Sequence, residues 1–522
     1  MRIKNFLYPV FLSFLTITGV QKPAFPQPVK ITSSEFNFNV GSTTIHKIIG
    51  HDAENYFVLK HYGGQYHLEK LDENLNLMLD EPVKLFEGLK TYDLESAVHF
   101  HNELYLFVSR RKLTETTLFY QKIDKASLLP QTGFIELATI KFIRGNWPDF
   151  HFALSRQETK LMIACRIKLQ WEKVQHNEFY VFDEGLELLW NRKDYFEFSG
   201  QGPRENSYLV DEQGNVSILS LLKRESIISL FQDIKNSYLI HRYTNEGMTF
   251  REYSIALENR YIRGVKILGG KQGELICAGL YSELFRAGVG GTFFFTIDPL
   301  DGNMYDNYSQ AFTDDFLSRL VAIKEPVMAD EELMKYVMTD LVLRKNGNVI
   351  LIAEQLFEQS FDTYNNLIIT CFDSTGMVNW SQIVPKNQDF DVRYLMQHTI
   401  DIGEYRDTIM ETGALNDYVE NYCSYALIAP INGNDITLVF NDHIRNTQPG
   451  EKHRNFGNPR KSYLAAVHID EFGNLEKYDV LHWKRKALYP EPIRYYDTLG
   501  ETIIIPAFKS RKYNYYKITA SY

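Results

Sequence analysis

Three features of the sequence predict an all-β fold, an eight-bladed β-propeller with seven blades as the runner-up. A strand-and-turn phrase recurs along the chain. One strand of each repeat is apolar on both faces. The last repeat stops one strand short, while a spare strand-like segment stands near the N-terminus. The bulk properties agree. The 522 residues are 44% hydrophobic, and 14% aromatic with 33 Tyr and 35 Phe, enough for a large core and enriched in strand formers. With 56 Lys+Arg against 66 Asp+Glu and a net charge of −10, the chain lacks the basic excess of a nucleic-acid binder.

The first residues read as an address. Arg2 and Lys4 precede the apolar stretch Phe6–Val20, so residues 1–27 are expected to be a secretory signal peptide, with cleavage around Ala24. Residues 28–522 then form one propeller domain. No Cys precedes Cys165, which argues against a lipid anchor, and no later run is long enough to be a membrane helix. Cys165 and Cys277 sit in apolar strand-like runs. Cys371 and Cys423 are the two that would pair across neighbouring units if the exported chain carries a disulfide.

The repeat phrase ends in Asp or a substitute. It appears as Leu68–Asp72, Tyr120–Asp124, Tyr180–Asp183, Thr296–Asp298, Thr370–Asp373 and Val467–Asp470, with weaker copies near Thr244 and at Lys517–Thr519. Ahead of each lies a run apolar on both faces: Tyr56–Leu59, Leu104–Val108, Leu161–Cys165, Val216–Leu222, Glu274–Leu280, Val349–Ala353, Ile436–Phe440 and Thr502–Ile505. Such runs are buried from both sides. Asp-x-x-Gly turns such as Asp373–Gly376 and Asp470–Gly473 lead to a more polar fourth strand. The fourth unit, Ser237–Tyr243 and Phe250–Ile255, is the weakest, hence the seven-bladed alternative. The last unit ends after its third strand. The segment Glu35–Val40 is expected to pair onto it and close the ring.

Turns between first and second, and between third and fourth, strands share one end of such a ring and are short here. The long insertions, 313–337, 385–423 and 442–460, and the loops 109–117, 168–177, 282–291 and 356–364, belong to the other end. A helix is expected after Thr313 as N-cap, with Phe316, Leu317, Leu320 and Val321 at helical spacing, and another near Tyr405–Tyr422. Loop growth on one face of a repeat scaffold marks a binding face.

At the mouth of that face two second strands end in polar residues, Glu354-Gln355 and Asn441-Asp442, and the crossing between them begins with Lys386 and Gln388. Converging on a polar ligand, a peptide or calcium is one reading; satisfying strand ends and loop backbone is the other. The following loop is basic, with His443, Arg445 and Arg454, suited to an acidic partner or simply solvated. Trp171 with His176, and Phe357, Phe361 and Tyr364, would stack on sugars, grip a peptide or cover neighbouring blades. No nucleophile elbow, zinc motif or calcium loop is present, so no metal or cofactor is expected. Asp149, His151 and Asp340 near blade entrances are the remaining candidates for chemistry.

The string Asn348–Gln355, with Asn366–Ile369, Gly376–Trp380, Ile383–Gln388, Leu438–Asp442 and the closing Lys512–Ile518, resembles uncharacterised exported proteins of Bacteroidota over about residues 341–522. The resemblance implies export and a cell-envelope setting, and carries no activity or functional residue with it. No sorting domain follows the last unit, which favours the periplasm or envelope over free release. The expectation is a non-catalytic propeller that holds a protein or peptide partner on its loop-rich face. The alternative is a glycan-binding or glycan-active propeller with a site at the channel mouth.

Overall fold

The computed structural model describes residues 29–33, 38–39, 43–142, 146–168, 174–197, 206–223, 236–284, 288–298, 300–322, 333–358, 362–388, 422–446, 454, 462–482, 488–492, 496–498, 500–509 and 512–520. The signal-like segment, the expected helix near Tyr405–Tyr422 except its last residue, and Trp171 lie outside these residues.

Eight antiparallel sheets follow one another along the chain and form a β-propeller of eight blades. Each expected second strand is one: Asn55–Tyr62, Glu103–Arg111, Leu161–Lys168, Val216–Lys223, Leu275–Ser282, Val349–Glu358, Ile436–His443 and Thr502–Lys509. The fourth unit, weakest in sequence, is a complete blade of Asn206–Val210, Val216–Lys223, Asn236–Thr244 and Thr249–Ile255.

Side chains of one strand alternate between faces, so a strand wedged between two blades feeds two cores. In blade six, Val349, Leu351 and Ala353 join the cluster shared with blade five, while Ile350 and Ile352 join the one shared with blade seven. The same holds around the ring. Separate apolar clusters join blades one to two, two to three, three to four, four to five, five to six, six to seven and seven to eight. An eighth joins blade eight back to blade one through Ile504, Tyr513 and Tyr515 against Ile48, Tyr56, Val58 and Leu71. The fourth strands are wetter, as in Leu77–Pro82, where exposed and half-buried residues alternate.

The repeated Asp is a turn hub. Asp373 Oδ1 accepts the amides of Thr375 at 2.8 Å and Met377 at 3.0 Å, and Asp470 Oδ1 accepts those of Phe472 at 2.9 Å and Asn474 at 2.8 Å. Burial pushes both carboxyls up, yet these hydrogen bonds outweigh it and hold them below their ordinary values. The turn glycines also seal blade contacts. Gly376, at φ 87°, lies where a Cβ would meet Phe294 of blade five at 2.3 Å, and Gly473 meets Trp380 of blade six in the same way at 2.7 Å.

Ring closure uses an N-terminal strand, but an earlier one than expected. Val29–Ser33 pairs with the third strand of blade eight from Val29↔Ala520 to Ser33↔Tyr516 and supplies its fourth strand. Of the expected segment Glu35–Val40, Phe38–Asn39 is a two-residue extension opposite Tyr513 and Lys512. Val29 and Ile31 point into the core between blades seven and eight, which fixes this register.

One further expectation changes. The stretches 109–117 and 356–364 are mostly strand, since Glu103–Arg111, Glu115–Ile123, Val349–Glu358 and Asp362–Phe372 run on beyond the blade body. The four cysteines are buried and no disulfide joins Cys371 to Cys423. The helix Asp314–Ala322 is present: the Phe316 amide donates to the Thr313 hydroxyl at 3.3 Å. Its Phe316 enters the core of blades five and six, and its Arg319 donates to Gln382 and to the Ser381 carbonyl of blade six.

Candidate functional site

Six of the nominated residues do come together, between blades six and seven, but as a closed interior. Glu354, Gln355, Lys386, Gln388, Asn441 and Asp442 are each at most 2% exposed, so none faces solvent as a ligand would require. The Lys386 ammonium is paired with Glu354 Oε1, and the Ser424 hydroxyl donates to Glu354 Oε2 at 2.8 Å. Burial pushes the Lys386 pKa down, against the opposing pull of Glu354.

The partners of this network reveal its task. Gln388 ends the last strand of blade six, and Ser424 stands just before the first strand of blade seven. The Ser424 amide donates to Gln388 Oε1 at 2.9 Å, tying together the two ends of the insertion. Gln388 Nε2 donates to the Asn441 carbonyl at 2.8 Å, and Asn441 Nδ2 donates to the carbonyls of Tyr422 at 2.9 Å and Pro490 at 3.0 Å. The end of blade six and the start of blade seven are therefore joined by one buried polar clamp.

A second clamp stands beside it. Asn446 Nδ2 donates to the Arg454 carbonyl at 2.8 Å while the Arg454 amide donates to Asn446 Oδ1 at 2.8 Å, so 447–453 is closed at its base by a reciprocal pair. Asp442 holds this pair from beneath: its Oδ1 accepts from Asn446 Nδ2 at 2.6 Å and from the His443 amide at 2.7 Å, and its Oδ2 accepts from Lys477 Nζ at 2.5 Å. Buried hydrogen bonds of this kind rigidify what they connect, while the buried Asn441 Oδ1 finds no partner among the described residues. In this structure Glu354, Lys386, Gln388, Asn441 and Asp442 are engaged with one another and with the ends of the two insertions. Calcium does not suit them, because Glu354 and Asp442 are each neutralised by a lysine; among the described residues no His, Cys, Asp and Glu gather as a metal site.

The outer nominees fare differently. Arg445 and Arg454 are exposed beside the second clamp and His443 is half-buried. His176 is buried and stacks on Tyr195 at 4.6 Å, and Tyr364 is buried with the Lys386 ammonium 5.7 Å from its ring, so both serve the interior. The side chain of Phe357, and Phe361, lie outside the described residues. Asp149 is paired with Arg166 at 3.0 Å, His151 stacks on Tyr208 at 4.9 Å, and Asp340 accepts from the Tyr425 hydroxyl across blades six and seven. None of these three stands as an unpartnered acid or base.

One feature escaped the sequence reading. A cavity of about 210 Å³ lies at the rim between blades three and four, lined by Asp194, Phe196, Leu239, His241, Phe250 and Glu252 together with Tyr195. These residues come from three strands and two blades. The strand alternation that points them to one face was legible, but nothing in the sequence tells that face from any other.

No family model and no curated protein matches the sequence. Among solved structures the chain is similar to a protein of unknown function from Dyadobacter fermentans, at 9% identity and TM-score 0.32 over 71% of this chain and 95% of that one. It is similar to a Synechocystis apocarotenoid oxygenase mutant at 10% identity and TM-score 0.32, over 63% and 69%. The NanB sialidase of Streptococcus pneumoniae matches at 8% identity and TM-score 0.33, over 95% of both chains. At these values the likenesses carry no residue, substrate or activity to this chain.

Proposed function

We propose that the protein is an exported binding propeller of the bacterial cell envelope that engages a protein or peptide partner on its loop-rich end. The observation that carries this reading is the pair of adjacent buried clamps, Gln388–Ser424 and Asn446–Arg454, which fix the bases of 389–421 and 447–453 side by side. Buried ions such as Lys386, Glu354 and Asp442 are costly to desolvate. Placing them at the feet of two long insertions gives those segments fixed points of departure, which a binding surface needs and a neutral length variation does not. The exposed Arg445 and Arg454 beside the second clamp favour an acidic contact on the partner. The charged head and apolar core of residues 1–27 support export, and among the described residues no helix is long and apolar enough to cross a membrane.

The test uses photo-crosslinking from envelope extracts of the native host. A crosslinker replaces Arg445, Arg454 or, at the opposite end of the ring, the exposed Gln213. Discrete adducts from 445 and 454 and none from 213 are expected, and they should disappear when 447–453 is replaced by a short Gly-Ser linker that leaves Asn446 and Arg454 in place. Adducts from 213 alone, or adducts indifferent to the replacement, would refute the choice of face.

A further inference from the structure

The rim cavity between blades three and four is remote in sequence from both clamps, and its chemistry is specific. Its volume, about 210 Å³, is below the roughly 300 Å³ at which pockets hold drug-sized ligands, and suits a single side chain or a small organic group. Its core is an aromatic stack. Phe196, in the outer strand of blade three, lies 4.1 Å from the His241 ring of blade four at an interplanar angle of 11°. Phe250, in the outer strand of blade four, stands 5.6 Å from His241 and is partly exposed.

The polar groups around this stack are acceptors. His241 is 1% exposed, and its Nε2 lies 2.9 Å from Glu252 Oε2. A carboxylate only accepts, so the ring donates Nε2–H to it and carries a bare Nδ1. That buried Nδ1 has no hydrogen-bond partner among the described residues. Burial pushes the His241 pKa down, against the pull of Glu252 and Asp194, which keeps the ring neutral at pH 7.

The two carboxylates are not equivalent. Asp194 is neutralised by Arg192, whose Nε lies 2.8 Å from it and whose guanidinium covers Tyr243 and Phe250. Among the described residues Glu252 is paired only with the neutral imidazole, and it is 52% exposed. The cavity therefore holds one uncompensated negative charge beside three aromatic rings.

We propose that this rim cavity binds a cationic amine or guanidinium, such as the side chain of a lysine or arginine, with Glu252 as its counter-ion and Phe196 and Phe250 as its walls. A cation over aromatic faces gains attraction from the ring quadrupoles, and the carboxylate supplies a charge-assisted hydrogen bond. A neutral polyol would find acceptors without matching charge, and an anion would be repelled by Glu252. The site is independent of the loop-rich end, so either can fail without the other.

The test follows the His241 ring C–H resonances in two-dimensional NMR of the full chain, assigned with His241→Gln, on adding Nα-acetyl-lysine methylamide, its uncharged counterpart Nα-acetyl-norleucine methylamide, n-butylamine or glucose. Saturable shifts with the lysine probe, at least about tenfold weaker with norleucine, are expected from loss of one charge-assisted contact. Butylamine as strong as the lysine probe identifies a free amine as the ligand form; a stronger lysine probe identifies a peptide side chain. Glu252→Gln should weaken the lysine probe about tenfold without changing the melting temperature. If that variant melts early, Phe196→Leu, which retains the carboxylate, should weaken it about threefold. Equal response to lysine and norleucine, saturation by glucose instead, no saturable shift with any cation, or unchanged affinity in both variants would overturn the assignment.

Discussion

Replacing Tyr515 with Phe probes the seam where the ring closes. Glu69, in blade one, is fully buried; its Oε1 is 2.6 Å from the Lys60 ammonium, and its Oε2 accepts the Tyr515 hydroxyl of blade eight at 2.8 Å. The Tyr513 hydroxyl, also from blade eight, donates to Oε1, and Lys60 reaches Asp80 at 2.5 Å. One carboxylate thus joins the two ends of the chain. A hydrogen bond to a buried charge contributes about 1.5–3 kcal/mol, so Tyr515→Phe should destabilise by that amount. Glu69→Gln removes the charge, after which Tyr515→Phe should cost only about 1 kcal/mol, the worth of a neutral bond. A double-mutant cycle read by urea denaturation should then give a coupling of about 0.5–2 kcal/mol. Additivity within about 0.5 kcal/mol would show that the hydroxyl and carboxylate do not interact, and would refute this description of the seam. The pH profile supplies an independent check. Burial first, and then Glu69, raise the pKa of Tyr513 and Tyr515 far above the ordinary 10. A raised folded-state value means stability that is full below pH 10 and lost as pH climbs above it. The wild-type chain should lose stability above about pH 10, and each Phe variant should lose less.

Other expectations concern the loop clamp, a turn and acid stability. Lys386→Met leaves Glu354 buried without its cation and should cost about 3–5 kcal/mol in denaturation experiments, whereas Lys386→Met with Glu354→Leu should recover most of it; a single variant as stable as wild type would contradict the pairing. Gly376→Ala places a Cβ 2.3 Å from Phe294 at φ 87° and should cost at least about 2 kcal/mol, read as a lowered urea midpoint. Burial first, then Lys125 and His51, lowers the pKa of His99 to about 4. The folded state therefore binds fewer protons than the unfolded one. Stability is full above pH 6.5 and falls as pH drops towards about 4, and His99→Gln should flatten that fall in an acid titration.

What the sequence disclosed follows from how far each signal reaches along the chain. The double-faced runs such as Val349–Ala353 announce second strands because both faces of a blade are covered, and that signal lies within five residues. The Asp-x-x-Gly turns are equally local. The closing strand was harder: Val29–Ser33 and Glu35–Val40 both have strand-like composition, and only the core between blades seven and eight, which receives Val29 and Ile31, selects the first. The residues of the polar cluster were legible as strand ends, but their burial against one another was not. Glu354 finds Lys386 32 positions away and Ser424 70 positions away, so whether it meets a ligand or a partner is decided by contacts between blades. The rim cavity was invisible for the same reason, since Phe196, His241 and Glu252 meet only after blade three has packed on blade four.

Closure of the ring by Val29–Ser33 is tested most directly by a cysteine pair at Lys30 and Thr519, register partners in the final blade. Antiparallel partners lie about 4.5–5.5 Å apart between Cα atoms, within the range a disulfide spans, and the four native cysteines are buried. Mild oxidation should link the peptides bearing residues 30 and 519 within one chain and raise the melting temperature. A Lys30→Cys, Gln213→Cys control should not link. Failure of the 30–519 pair to link, or a link no faster than in the control, would contradict an eight-bladed ring sealed by its N-terminal strand.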